Sequence, residues 1–124
     1  MCSVNADFGK VNEQLAAEFL IKNGYQILRK NFRSKKGEID IIAKDQGTIC
    51  FVEVKARKSA DFGLPEEAVG LVKQKKISLA ALYFLSSQGL LEKNARFDVI
   101  SILWQDDQPK FTLFKDAFEF KEGF

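Results

Sequence analysis

Two neighbouring segments, 37–43 and 49–57, are crowded with β-branched and aromatic residues (Ile39, Ile41, Ile42, Ile49, Phe51, Val52 and Val54), and Gln46-Gly47 between them suits a tight turn. The pattern predicts a β-hairpin. Upstream, Val11, Leu15, Ala16, Phe19 and Leu20 recur at three- and four-residue intervals, which predicts a helix from about Asn5 to Asn23 stopped by Gly24. Tyr25, Ile27 and Phe32 suggest a first strand that ends in the polar turn Ser34 to Gly37. Beyond the hairpin, residues 57–63 read as a loop and Pro65-Glu66-Glu67 as a helix start. That helix runs to about Ser87 with a bend at Gly70, and Gly89 ends it. A strand from Arg96 to Leu103, a turn over Gln105 to Pro109 and a short strand from Phe111 to Phe114 complete the chain. The order α, three strands, α, two strands predicts a single α/β domain over residues 1–124, a mixed sheet of about five strands flanked by helices.

Three charges interrupt the apolar hairpin: Asp40, Glu53 and Lys55. Side chains alternate faces along a strand, so Glu53 and Lys55 share a face with Ile49 and Phe51, while Cys50, Val52, Val54 and Ala56 take the other. If Gln46 and Gly47 are the central turn residues, Asp45 pairs with Thr48 and the ladder sets Asp40 opposite Glu53. Directly paired side chains lie roughly 4.5 to 5.5 Å apart at Cβ. Two carboxylates at that spacing call for a cation between them, either Lys55 or a divalent ion with oxygen ligands. A loop longer by one residue would throw Asp40 to the opposite face. The plainer alternative is a surface Glu53/Lys55 pair without function, but charges on so apolar a strand are rare unless paired or coordinating metal.

Composition narrows the chemistry. Histidine is absent, so Ser-His-Asp and Cys-His machinery and histidine zinc sites are excluded, and Cys2 and Cys50 are too few for a cysteine zinc site or a disulfide framework. Oxygen ligands point to magnesium or manganese. No run approaches the roughly 20 apolar residues of a membrane span, and no charged N-terminal segment precedes an apolar one. A soluble, cytoplasmic protein without membrane contact is the expectation.

The net charge of +2 is unevenly spread: residues 1–100 carry 16 Lys and Arg against 12 Asp and Glu, and residues 101–124 carry 3 against 5. Arg33, Lys35 and Lys36 precede the acidic strand pair, Arg57 and Lys58 follow it, and Lys73, Lys75 and Lys76 form a further group. Basic groups around an acidic centre suit a nucleic-acid backbone entering a metal site, although solvated surface charge explains the last group equally well. Glu13, at the edge of the apolar face of the first helix, adds a third carboxylate if that helix packs over the hairpin. Lys73 and Gln74 are placed to touch a phosphate or orient a water, but such residues are common on helix surfaces. Asp98 reads as half of a structural ion pair.

An acid at Asp40 followed a dozen residues later by Glu53-Val54-Lys55 resembles the core of the PD-(D/E)XK nuclease superfamily. The text Glu38 to Ala43 with Phe51 to Arg57 is similar to archaeal Holliday-junction resolvases, and nearly the whole chain resembles the YraN-like family of bacterial proteins. Glu13 to Ala17, Gly24-Tyr25, Asn31 to Arg33, Gly37 to Asp40, Phe62-Gly63 through Ala68-Val69, and Arg96 to Val99 also match. The one departure is Ile39, where the motif name has proline.

The resemblance implies a restriction-endonuclease-like fold, with Asp40, Glu53 and Lys55 catalytic and Glu13, Asp40, Glu53 and the Val54 carbonyl holding magnesium or manganese. It implies metal-dependent hydrolysis of DNA, with branched DNA as one substrate class; from the charge pattern, Arg33, Lys35, Lys36, Arg57, Lys58, Lys73 and Gln74 are the expected contacts to the nucleic acid. A homodimer is what action on symmetric branched DNA would require. Two rivals stand beside this expectation: a nucleic-acid-binding module of the same fold that does no chemistry, and an interaction protein using Phe111, Phe114, Phe118, Phe120 and Phe124.

Overall fold

The structure is a computed structural model that describes residues 4–58 and 69–121. Helix α1 spans Val4–Lys22, strands β1, β2 and β3 span Gln26–Arg33, Glu38–Asp45 and Thr48–Arg57, helix α2 spans Leu71–Ser87, and strands β4 and β5 span Ala95–Gln105 and Gln108–Phe118. The five strands form one sheet in the order β1-β2-β3-β4-β5. All neighbours are antiparallel except β3 and β4, which run parallel because α2 carries the chain back between them. The architecture is restriction-endonuclease-like.

Each helix covers one face. Ala16, Ala17 and Leu20 of α1 pack with Ile41, Ala43, Cys50, Val52, Ile100 and Ile102. On the opposite face Ile77, Ala80, Ala81, Phe84 and Leu85 of α2 pack with Ile42, Ile49, Phe51, Phe97 and Val99. Sheet residues buried on both sides explain why the hairpin strands read as nearly continuous apolar runs. Val11 fits the helical spacing of α1 but is 49% exposed, because Ala16, Ala17 and Leu20 set the buried stripe.

Both helices end in the same way. Gly24 at φ +91° and Gly89 at φ +68° reverse the chain, and Tyr25 N–H and Leu90 N–H donate back to the Leu20 and Leu85 carbonyls. The expected bend at Gly70 is instead the N-cap of α2. The expected helix start at Pro65 lies outside the described residues.

Gln46 and Gly47, at φ +50° and +90°, form the predicted two-residue turn, and Asp45 pairs with Thr48. A second such turn, at Asp106 and Asp107, joins β4 to β5. The last strand is therefore longer than the expected Phe111 to Phe114. Pro109 belongs to it and pairs with Trp104, which an edge strand tolerates because an N–H facing solvent is not missed. Among the described residues no helix is long and apolar enough to cross a membrane.

Candidate active site

The paired rungs of β2 and β3 run from Asp45/Thr48 to Ile41/Val52 and stop there. One rung further in the same register would be Asp40 with Glu53. The side chain of Asp40 takes over from the ladder: Val54 N–H donates to Asp40 Oδ2 at 2.8 Å. On the other side β1 and β2 pair at Lys30/Ile41 and Phe32/Ile39 but not between, where Asn31 adopts φ +53°. Ile39 and Ile41 are two residues apart yet join opposite cores, Ile39 under α2 and Ile41 under α1. Strand β2 thus turns over at Asp40, and the sheet parts beside it.

The parting brings both helices to one cleft of about 280 Å³, lined by Phe8, Gly9, Asn12 and Glu13 of α1, Asp40, Val54 and Ala56 of the sheet, and Lys73 of α2. Glu53 lies beside it, its side chain 5% exposed. Burial, followed by a hydrogen-bonding contact with Asp40 and the Asp40 charge, pushes the Glu53 carboxyl up to about 8. Lys73 Nζ forms an ion pair with the buried Glu53 Oε2 at 2.8 Å.

The two lysines are unequal. Burial pulls Lys55 down, and a hydrogen-bonding contact with Lys73 and its charge pull further. Burial also opposes the charge on Lys73, but Glu53, through hydrogen-bonding proximity and charge, outweighs it and raises the Lys73 amine. Glu13 is raised by burial and then by Asp40, while a hydrogen bond with Asn31 works the other way.

Asp40, Glu53, Lys55 and Val54 therefore lie at one end of the hairpin, with Glu13 of α1 lining the same cleft. Among the described residues no group of three acids, histidines or cysteines is placed to hold a metal ion. The donor set still fits a hard divalent cation: two crowded carboxyl groups, one of them buried, beside the stretch of β3 at Val54 that lines the cleft.

The basic residues are dispersed around this centre. Arg33 pairs with Glu38 at 3.4 Å on the surface. Lys35 and Lys36 line a neighbouring surface depression with Arg33 and Lys76. Arg57 is half-buried near the end of β3, and Lys58 lies over the Phe8 ring at 5.2 Å. Gln74 is tied locally, donating Nε2 to the Val69 carbonyl at 2.7 Å.

Asp98 is the structural partner the sequence suggested: Arg96, the Tyr25 hydroxyl and Asp116 N–H all donate to it. Cys50 is a buried core residue whose thiol burial pushes up to about 12.

Three participants escaped the sequence reading. Asn31 draws the Glu13 carboxyl back toward its ordinary range, and buried Asn12 lines the cleft while donating to the Phe8 carbonyl and accepting from Trp104 Nε1. Gly37 lets α2 approach, since a Cβ there would lie 2.8 Å from the Lys76 carbonyl oxygen. Only the glycine just before the acidic strand carried a visible signal.

Fold and cleft together define a small restriction-endonuclease-like domain with an acid pair and a lysine at a break in its sheet. Residues 12–102 match the uncharacterised protein family UPF0102, and the chain belongs to that family. It is 48% identical over 119 residues to a UPF0102 protein of Syntrophus aciditrophicus, covering 96% of this chain and 94% of the relative. A UPF0102 protein of Caldicellulosiruptor bescii is 51% identical over 113 residues, covering 89% and 95%. Among solved structures, the crystal structure of SSO0001 aligns with a TM-score of 0.45 at 19% identity, covering 94% of this chain. This chain spans 55% of that one.

Proposed function

We propose that the protein is a metal-dependent endonuclease that hydrolyses DNA phosphodiester bonds, with branched DNA as a substrate class. The observation that carries this reading is the Asp40/Glu53 carboxyl pair, with Glu53 buried and held against the Lys73 ammonium, set beside Lys55 where the sheet parts. Asp40, Glu53 and the Val54 carbonyl, with Glu13 drawn in, would hold magnesium or manganese, which would polarise the phosphoryl group and activate water. Val54 N–H fixes the Asp40 carboxylate through the 2.8 Å bond. Lys55, its amine eased toward the neutral form by burial and then by Lys73, orients the attacking water and meets the charge that builds on the phosphate. Arg33, Lys35, Lys36, Arg57 and Lys58 hold the strand by its backbone, in a salt-dependent manner.

A panel of branched, duplex and single-stranded substrates in magnesium, manganese and EDTA tests this, beside Asp40→Ala and Lys55→Ala. Cleavage is expected only with metal and only in the parent protein, and cleavage that survives Asp40→Ala sinks the assignment. A second reading, a nucleic-acid-binding module without chemistry, draws on the Lys73/Glu53 ion pair, which neutralises the buried acid without a metal. It predicts salt-dependent DNA binding that persists in EDTA, and no cleavage with either metal.

A further inference from the structure

Glu53 already has a cation. Lys73 stands in the first turn of α2, its side chain 46% exposed, and its Nζ reaches across the cleft mouth to within 2.8 Å of Glu53 Oε2. Lys55, carried on the strand itself, does not make the Glu53 contact; the helix lysine does. A divalent ion bound by Asp40 and Glu53 needs that same carboxylate, so the ammonium and the metal compete for one place.

We infer that Lys73 is a tethered counter-cation that occupies the metal's place on Glu53 and is displaced when a divalent ion arrives. The inference rests on the metal-dependent reading given above. Displaced, Lys73 remains on α2 at the edge of the cleft, where a phosphate diester offers the ammonium a new partner. Metal and nucleic acid then favour one another's binding, since each relieves a cost the other meets. The device also serves the empty site, because a buried Glu53 that loses its proton has the Lys73 ammonium beside it.

Manganese titration by calorimetry, without nucleic acid, tests the competition in the parent protein, Lys73→Met and Lys76→Met. Lys76 lies on the same helix and is exposed, so its variant removes an equal charge without freeing Glu53. Lys73→Met is expected to bind manganese about five- to tenfold more tightly than the parent, with Lys76→Met unchanged. In EDTA, Lys73→Met is expected to unfold at a lower temperature than the parent, and saturating magnesium is expected to close the gap; a lysine with a purely structural part would lower both midpoints alike. Equal or weaker manganese binding by Lys73→Met, or equal tightening by Lys76→Met, overturns the inference and leaves the metal-dependent reading in place. No binding to the parent or to Lys73→Met overturns both.

Discussion

Val54 donates its backbone N–H to the carboxylate of Asp40 at 2.8 Å, so the ladder between β2 and β3 ends on a side chain. One bond does two jobs. It satisfies a strand N–H that has lost its ladder partner, and it fixes an acid beside Glu53 at the opening in the sheet. Stability and chemistry therefore separate cleanly at Asp40.

Asp40→Asn keeps an oxygen to accept the Val54 N–H but removes the negative charge beside Glu53. Cleavage is expected to fall roughly 100-fold or more, while the unfolding midpoint stays level because the Val54 N–H keeps its acceptor. Parallel cleavage assays and thermal melts check both. A folded variant that cleaves at the parent rate would remove Asp40 from the site.

The raised Glu53 carboxyl gives a pH dependence of stability in metal-free protein. Its folded value of about 8 lies above the ordinary 4.5, so between these values the folded chain holds a proton that the unfolded chain has released. The stabilisation is complete below about pH 4.5 and is lost as pH rises toward 8. Thermal midpoints in EDTA are thus expected to fall from pH 5 to pH 8, and Glu53→Gln is expected to flatten that slope. A parent protein with no such slope would contradict the buried carboxyl pair.

How much of this could be read from the chain depends on the range of each interaction. The hairpin register was legible because Gln46-Gly47 fixes the count locally, and the pairs from Asp45/Thr48 to Ile41/Val52 follow from it. The end of the ladder was not, because it depends on Asp40 replacing a backbone partner and on Asn31 at φ +53° in the neighbouring strand. Lys73 was visible as a basic residue, but its meeting with Glu53 requires the parallel crossover to lay α2 against the sheet, and no local pattern encodes that. Pro109 misled for the opposite reason: its local signal marks a turn, and only the edge position of β5 lets it sit in a strand.

Two glycines near the cleft should respond to alanine with opposite signs. At Gly37 the new methyl would meet the Lys76 carbonyl oxygen at 2.8 Å and its carbon at 3.1 Å, so the α2 backbone must move. Gly37→Ala is expected to cost about 1–3 kcal/mol and to weaken cleavage by shifting Lys73. Gly9, inside α1, has nothing within 4 Å of the added methyl, and Gly9→Ala should gain roughly 0.5–1 kcal/mol from the reduced backbone freedom of the unfolded chain. Urea unfolding of the two variants against the parent decides the matter; a neutral Gly37→Ala would mean that α2 is not held against that turn.

The Asp98 network should carry stability without activity. Asp98 is fully buried and receives Arg96 Nε at 3.0 Å, the Tyr25 hydroxyl at 3.1 Å and Asp116 N–H at 2.9 Å, while Arg96 also reaches Asp45 at 2.7 Å. It ties β4 to the start of β1, to the hairpin turn and to the edge strand. Asp98→Ala leaves the Tyr25 hydroxyl and a strand N–H without their acceptor and Arg96 without one of its two acids. A loss of about 3–5 kcal/mol is expected, the usual consequence of breaking a buried ion pair from one side. None of these groups lines the cleft that holds Glu13, Asp40 and Lys73. Cleavage per folded molecule, measured well below the lowered midpoint, should therefore match the parent, and a specific loss of cleavage in a fully folded Asp98→Ala protein would tie this network to the site.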